Sequence, residues 1–93
     1  MINPKIQKIR NKLDKIDLKL ILIIKKRTNL VNEVIKLKKS KKEIVDKKRI
    51  TTILKRIKIK SIKHKIDPAI TQSIWKEMIK SFIRYEYKNF KLK

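Results

Sequence analysis

From Lys5 to Lys39 neither proline nor glycine interrupts the chain, and aliphatic residues recur there on a seven-residue period. One seam runs Ile6, Leu13, Leu20, Arg27, Val34, and the other Ile9, Ile16, Ile23, Leu30, Leu37. Such spacing gathers on one stripe only if the backbone is α-helical. At ~1.5 Å per residue it makes a rod of roughly 50 Å. A rod that long is expected to bury its seam against other helices, those of a second subunit included. Pro4, preceded by Asn3, suits the first turn of this helix. The chain holds no glycine and two prolines, which disfavours a turn-rich β sandwich and favours an all-α fold of three helices.

Nine of the ten seam positions are aliphatic, and the tenth is Arg27. A guanidinium cannot lose its charge, so a place in the seam demands a matching anion. Lys38 follows eleven residues later, three helical turns on, and points from nearly the same face. Two cations aimed into a helical interior predict a pocket for a small polyanion.

Ninety-three residues allow a single domain, 1–93, whose core is thin unless long helices pack or chains associate. The formal charge of +21 raises nucleic acid as a partner. That class would need helix-turn-helix spacing or a basic stripe uninterrupted by acids, and neither is evident; aromatic residues for base stacking are few. No nucleic acid is expected. Twenty-four lysines stand beside five arginines and nineteen isoleucines, the bias of an A/T-rich coding sequence. The lysines then read mostly as a solvated surface, and the arginines as the informative cations. With no cysteine there is neither disulfide nor thiolate metal site. The longest apolar run, Leu20 to Ile24, is far short of the roughly 20 residues that span a bilayer, and no secretory signal opens the chain. A soluble cytoplasmic protein is expected.

Ser40 and the surrounding lysines mark a loop from about Lys39 to Asp46. A second helix is expected over about 47–62, with Ile50, Ile53, Leu54 and Ile57 on one face. Asp67-Pro68 reads as an N-cap and first helical residue. The third helix then runs over about 68–90, burying Ile74, Trp75, Met78, Ile79, Phe82, Ile83 and Phe90. Glu86 falls on that inner stripe: Trp75, Ile79, Phe82, Glu86 and Phe90 are spaced by four, three, four and four. Either it pairs with Arg27 or Lys38 as a core ion pair, or it hydrogen-bonds a ligand. Arg10 lies seventeen residues before Arg27, roughly 25 Å along one rod, too far for one small ligand to touch both. Arg10 is thus either a surface cation or a contributor to the site of an antiparallel partner chain. His64, between lysines, reads as solvated.

The segments Ile9-Arg10-Asn11-Lys12-Leu13-Asp14-Lys15-Ile16-Asp17, Lys26-Arg27-Thr28-Asn29-Leu30-Val31, Val34-Ile35-Lys36-Leu37-Lys38, Asp46-Lys47-Lys48-Arg49 and Ile74-Trp75-Lys76-Glu77-Met78-Ile79, leading to Glu86, follow one another on three helices. In that order they resemble the all-helical bacterial chorismate mutase family over nearly the whole chain. The resemblance implies an intertwined homodimer with two sites, each completed by an arginine from the other subunit. It implies an isomerase that converts chorismate to prephenate by an intramolecular Claisen rearrangement, toward phenylalanine and tyrosine, with no metal or cofactor. Carried over by position, Arg27 and the partner's Arg10 bind carboxylates, and Lys38 reaches a carboxylate and the ether oxygen. Glu86 stands where many relatives have Gln and must be protonated to donate to that oxygen. Arg49 is expected near the ring. Asp46 matches an acidic position near the substrate hydroxyl, although an N-cap explains it equally well.

The chain departs from the mutase pattern at two places. Ile50 replaces a Glu that many mutases carry after this arginine, and Phe82 replaces a small polar residue. Both resemble the isochorismate pyruvate lyase branch of the same fold, which stands as the alternative activity.

Overall fold

The computed structural model describes residues 3–91, and among these the chain is all-helical, with three α-helices and no strand. Helix α1 spans Pro4–Leu37, α2 spans Lys47–Lys63 and α3 spans Pro68–Asn89. Asn3 starts α1: its Oδ1 accepts from the backbone N–H of Lys5 at 2.9 Å, and its carbonyl from Gln7 at 3.0 Å. α1 stops two residues before the expected Lys39. Beyond it Glu43, in a short 3-10 turn over Lys41–Glu43, folds back so that Oε2 accepts from the N–H groups of Lys39 and Ser40. These two donors hold its carboxyl below the usual carboxylate range.

α2 opens on Asp46, whose Oδ1 accepts from the N–H of Arg49 at 2.9 Å, the capping contact foreseen for it. Its end carries no glycine. Lys65 takes the left-handed conformation (φ 58°), the Ile66 N–H reaches the Ser61 carbonyl at 2.8 Å, and the Lys65 N–H reaches Ile62 at 3.1 Å. That is a Schellman cap with lysine where glycine usually sits. Asp67 then caps α3 through the Ala69 N–H at 2.9 Å, with Pro68 in its first turn.

The chain divides into two compact units, one ending at Glu33 and one beginning at Val34. In the first, every seam aliphatic from Ile6 to Leu30 is exposed; Leu20 is 49% and Leu30 62% accessible. Leu18, Ile21, Leu22 and Ile24 are exposed as well, so six of the seven residues from Leu18 to Ile24 are apolar and together cover the whole circumference. A helix apolar all round belongs in an enclosed setting.

The second unit has its own core. Ile35, Ile44 and Phe90 are buried, and Ile50, Ile53, Leu54 and Ile57 of α2 are half-buried, as are Trp75, Met78, Ile79, Phe82 and Ile83 of α3. Ile74 is a correction to the expected inner face of α3: it lies exposed. Polar bridges also join α2 to α3. The buried Ser61 Oγ donates to the Ile57 carbonyl or shares a proton with Thr71 Oγ1, both at 2.6 Å, and Gln72 Nε2 donates to the Leu54 carbonyl at 2.8 Å.

Candidate functional site

The site residues of the second unit come from three segments. Lys38 follows the last turn of α1, its N–H still bonded to the Val34 carbonyl at 3.1 Å. Glu86 lies near the end of α3, where the four-three-four spacing turns it inward; it is 8% accessible. Across forty-eight residues of sequence the two meet: Lys38 Nζ donates to Glu86 Oε1 at 2.9 Å, with the Lys38 side chain itself 19% accessible. A carboxylate so enclosed requires a counter-charge. Lys38 is one of the two ion-pair partners considered for Glu86 from the sequence, and that pair forms.

Lys38 also lines an open groove of about 710 Å³ with Lys42, Glu43, Val45, Asp46, Lys47 and Lys48. Lys38 and Asp46 thus line the same groove. Asp46 is exposed and has one oxygen engaged in capping α2. Glu43 likewise accepts backbone donors. Arg49 is exposed in the first turn of α2, where its N–H serves the Asp46 cap. Lys47 and Lys48 also border a second, smaller groove of about 420 Å³ with Thr51 and Thr52.

The remaining candidates lie in the first unit. Arg27 is half-buried with its Nε out of solvent, and Arg10 is exposed. The exposed Arg10 fits either of its two sequence readings.

Three groove cations, Lys42, Lys47 and Lys48, were not among the residues singled out from sequence. Their signal was present: Lys47, Lys48 and Arg49 begin a helix whose first turn contains no acid. The basic run is longer than that. From Lys47 to Ile66 there are nine Lys and Arg and no Asp or Glu, which corrects the expectation that no acid-free basic stretch exists. Among the described residues no helix is long and apolar enough to cross a membrane.

No curated protein and no solved structure matches the chain. The family model described as chorismate mutase type II matches residues 9–87, a span that takes in Arg10, Arg27, Lys38, the groove and Glu86. With most of its length matched, and three helices that bring Lys38 against Glu86, the chain belongs to the chorismate mutase type II family.

Proposed function

We propose that the protein is a chorismate mutase that rearranges chorismate to prephenate. The observation that supports this most directly is the family match over residues 9–87, which takes in Lys38 and the groove it lines with Asp46. The substrate is a dianion whose ether C–O bond breaks as a C–C bond forms within the same molecule. Negative charge gathers on the ether oxygen in the transition state, so preorganised donors there lower the barrier, and holding the compact conformer removes much of the entropic cost. No nucleophile, metal or cofactor is needed for that step.

In this reading Lys38 donates to the ether oxygen and to one carboxylate. Glu86 adds a second donor only in its neutral form, which gives up the ion pair with Lys38, because a carboxylate there would repel the same oxygen. Arg27, eleven residues before Lys38 on the same helical run, grips a carboxylate with a bidentate guanidinium. Arg10 reaches the site of a second subunit, Arg49 stands near the ring, and Asp46 adds a contact to the hydroxyl beyond its capping role. The exposed seam of α1 supports a homodimer, which would enclose the helix that is apolar all round. Within the cell the protein is placed in the cytoplasm and in aromatic amino-acid biosynthesis.

A second reading, isochorismate pyruvate lyase, is favoured by Ile50, half-buried where many mutases place a glutamate, and by Phe82. One assay separates the two. The purified protein is offered chorismate and isochorismate, and products are resolved by chromatography. Prephenate from chorismate is expected. Salicylate and pyruvate from isochorismate, with chorismate untouched, would replace the mutase with the lyase.

A further inference from the structure

The groove beside Lys38 holds two acids and four lysines, and its acids are already committed. Glu43 accepts the N–H groups of Lys39 and Ser40, and Asp46 accepts the N–H of Arg49. Lys38 is matched by Glu86. Among the described residues, Lys42, Lys47 and Lys48 make no ion pair, and with Lys38 they outnumber the groove's two carboxylates, Glu43 and Asp46, leaving its lining net positive. Lys47 and Lys48 moreover sit at the positive end of the α2 dipole, a placement that opposes the helix. Capping does not call for cations at these positions, and the net positive lining suits an incoming anion.

Resting on the mutase reading of this site, we propose that Lys42, Lys47 and Lys48 form a capture rim that draws the dicarboxylate substrate into the groove and hands it to Lys38. The rim acts on encounter and loose binding. It makes no contact that strengthens as the ether bond breaks, so it lowers KM without setting kcat. A groove whose lining is net positive raises the local concentration of a small anion, by about tenfold at low salt. Screening over about 8 Å removes most of that at physiological ionic strength.

The test compares steady-state kinetics of the full chain on chorismate at low and at physiological ionic strength for four proteins. These are the parent, a triple Lys42→Gln, Lys47→Gln, Lys48→Gln variant, the corresponding triple arginine variant, and a remote Lys58→Gln, Lys60→Gln, Lys63→Gln variant. The remote set carries the same change in charge but lies at least ~15 Å along α2 from Lys48, beyond the screening length of about 8 Å at physiological ionic strength and within it at low salt. In the rim glutamine variant KM should rise about tenfold at low salt and lose most of its salt dependence, with kcat within about twofold. The arginine variant should keep the parent's KM and salt slope, and the remote variant should raise KM by only a fraction of the rim effect, and only at low salt. An unchanged KM and slope in the rim variant, an equal effect from the remote variant, or a collapse of kcat would each overturn the rim. A parent that turns over neither chorismate nor isochorismate would instead overturn the functional reading on which the rim rests.

Discussion

The stretch of α1 before Val34 and the pair α2–α3 use similar proportions of isoleucine and lysine to opposite ends. In α2–α3 the apolar faces meet within one chain, and Ser61, Thr71 and Gln72 fix the helices to each other by side-chain hydrogen bonds. In α1 the aliphatic residues from Ile6 to Leu30 remain exposed, although their pattern is the more regular of the two. Regular patterning by itself therefore does not place a surface in the chain's own core. The chemistry follows the same divide. Lys38 and Glu86 find each other within one unit, whereas Arg10 and Arg27 sit on the helix whose apolar surface is still uncovered.

The contrast breaks most severely at the seam. Changing Leu20→Asp together with Ile23→Asp should raise the dimer dissociation constant at least about a thousandfold, since four buried aliphatics per dimer are worth about 1.5–3 kcal/mol each. Sedimentation velocity reads this, and a monomer in the parent protein would sink the dimer outright. Helix content should fall alongside, because a lone helix is marginal in water.

Arg27→Ala sharpens the comparison by separating assembly from chemistry. It should leave the sedimentation coefficient unchanged while removing about 3–5 kcal/mol of transition-state stabilisation, read as a fall in kcat/KM. Undiminished turnover would remove Arg27 from the site.

Within α2–α3, Thr71→Val strands the buried Ser61 hydroxyl on one side and should cost about 1–3 kcal/mol by urea unfolding. Adding Ser61→Ala should recover part of the loss, since both partners are then gone. If the double change is as costly as the sum of the singles, the hydroxyl pair is not what couples the helices.

Glu86→Gln addresses the same unit at its site. That change keeps a neutral hydrogen-bond donor at this place and should retain mutase turnover, whereas Glu86→Leu, which removes the donor, should lower kcat. Equal turnover in the parent and both variants would leave the carboxyl a bystander to the chemistry.

The smallest effect is expected at Glu43. Its carboxyl is held low by the Lys39 and Ser40 N–H groups, so it contributes stability above its unfolded-state value and loses it as pH falls through the lower folded-state value. Glu43→Gln should shallow the acid side of the stability profile. No difference there would mean that the turn holds without the charge.

Much of this was legible in the sequence because it depends on near neighbours. Asp46 and Asp67 as caps, Pro68 in a first turn and Glu86 on an inner face are all fixed by spacings of four residues or fewer. Less legible were features with no local spelling. The end of α2 is made by a lysine in a left-handed conformation, which no glycine announces. Ile74 matches the apolar period of α3 yet lies exposed, since period alone does not say how wide a face a neighbour covers. The rim lysines were hidden by abundance: among twenty-four lysines, three that edge a groove look like the rest.

Helix number, helix limits to within two residues and the inward set of Glu86 were thus decided by the order of residues, through hydrogen bonds and side-chain periods that act within a turn or two. Which cation meets Glu86, and that Lys42, Lys47 and Lys48 border one cavity with Lys38, were decided only by the packing of the chain. Contacts across forty-eight residues depend on where the intervening turns send each helix, and no one-dimensional spacing encodes that direction.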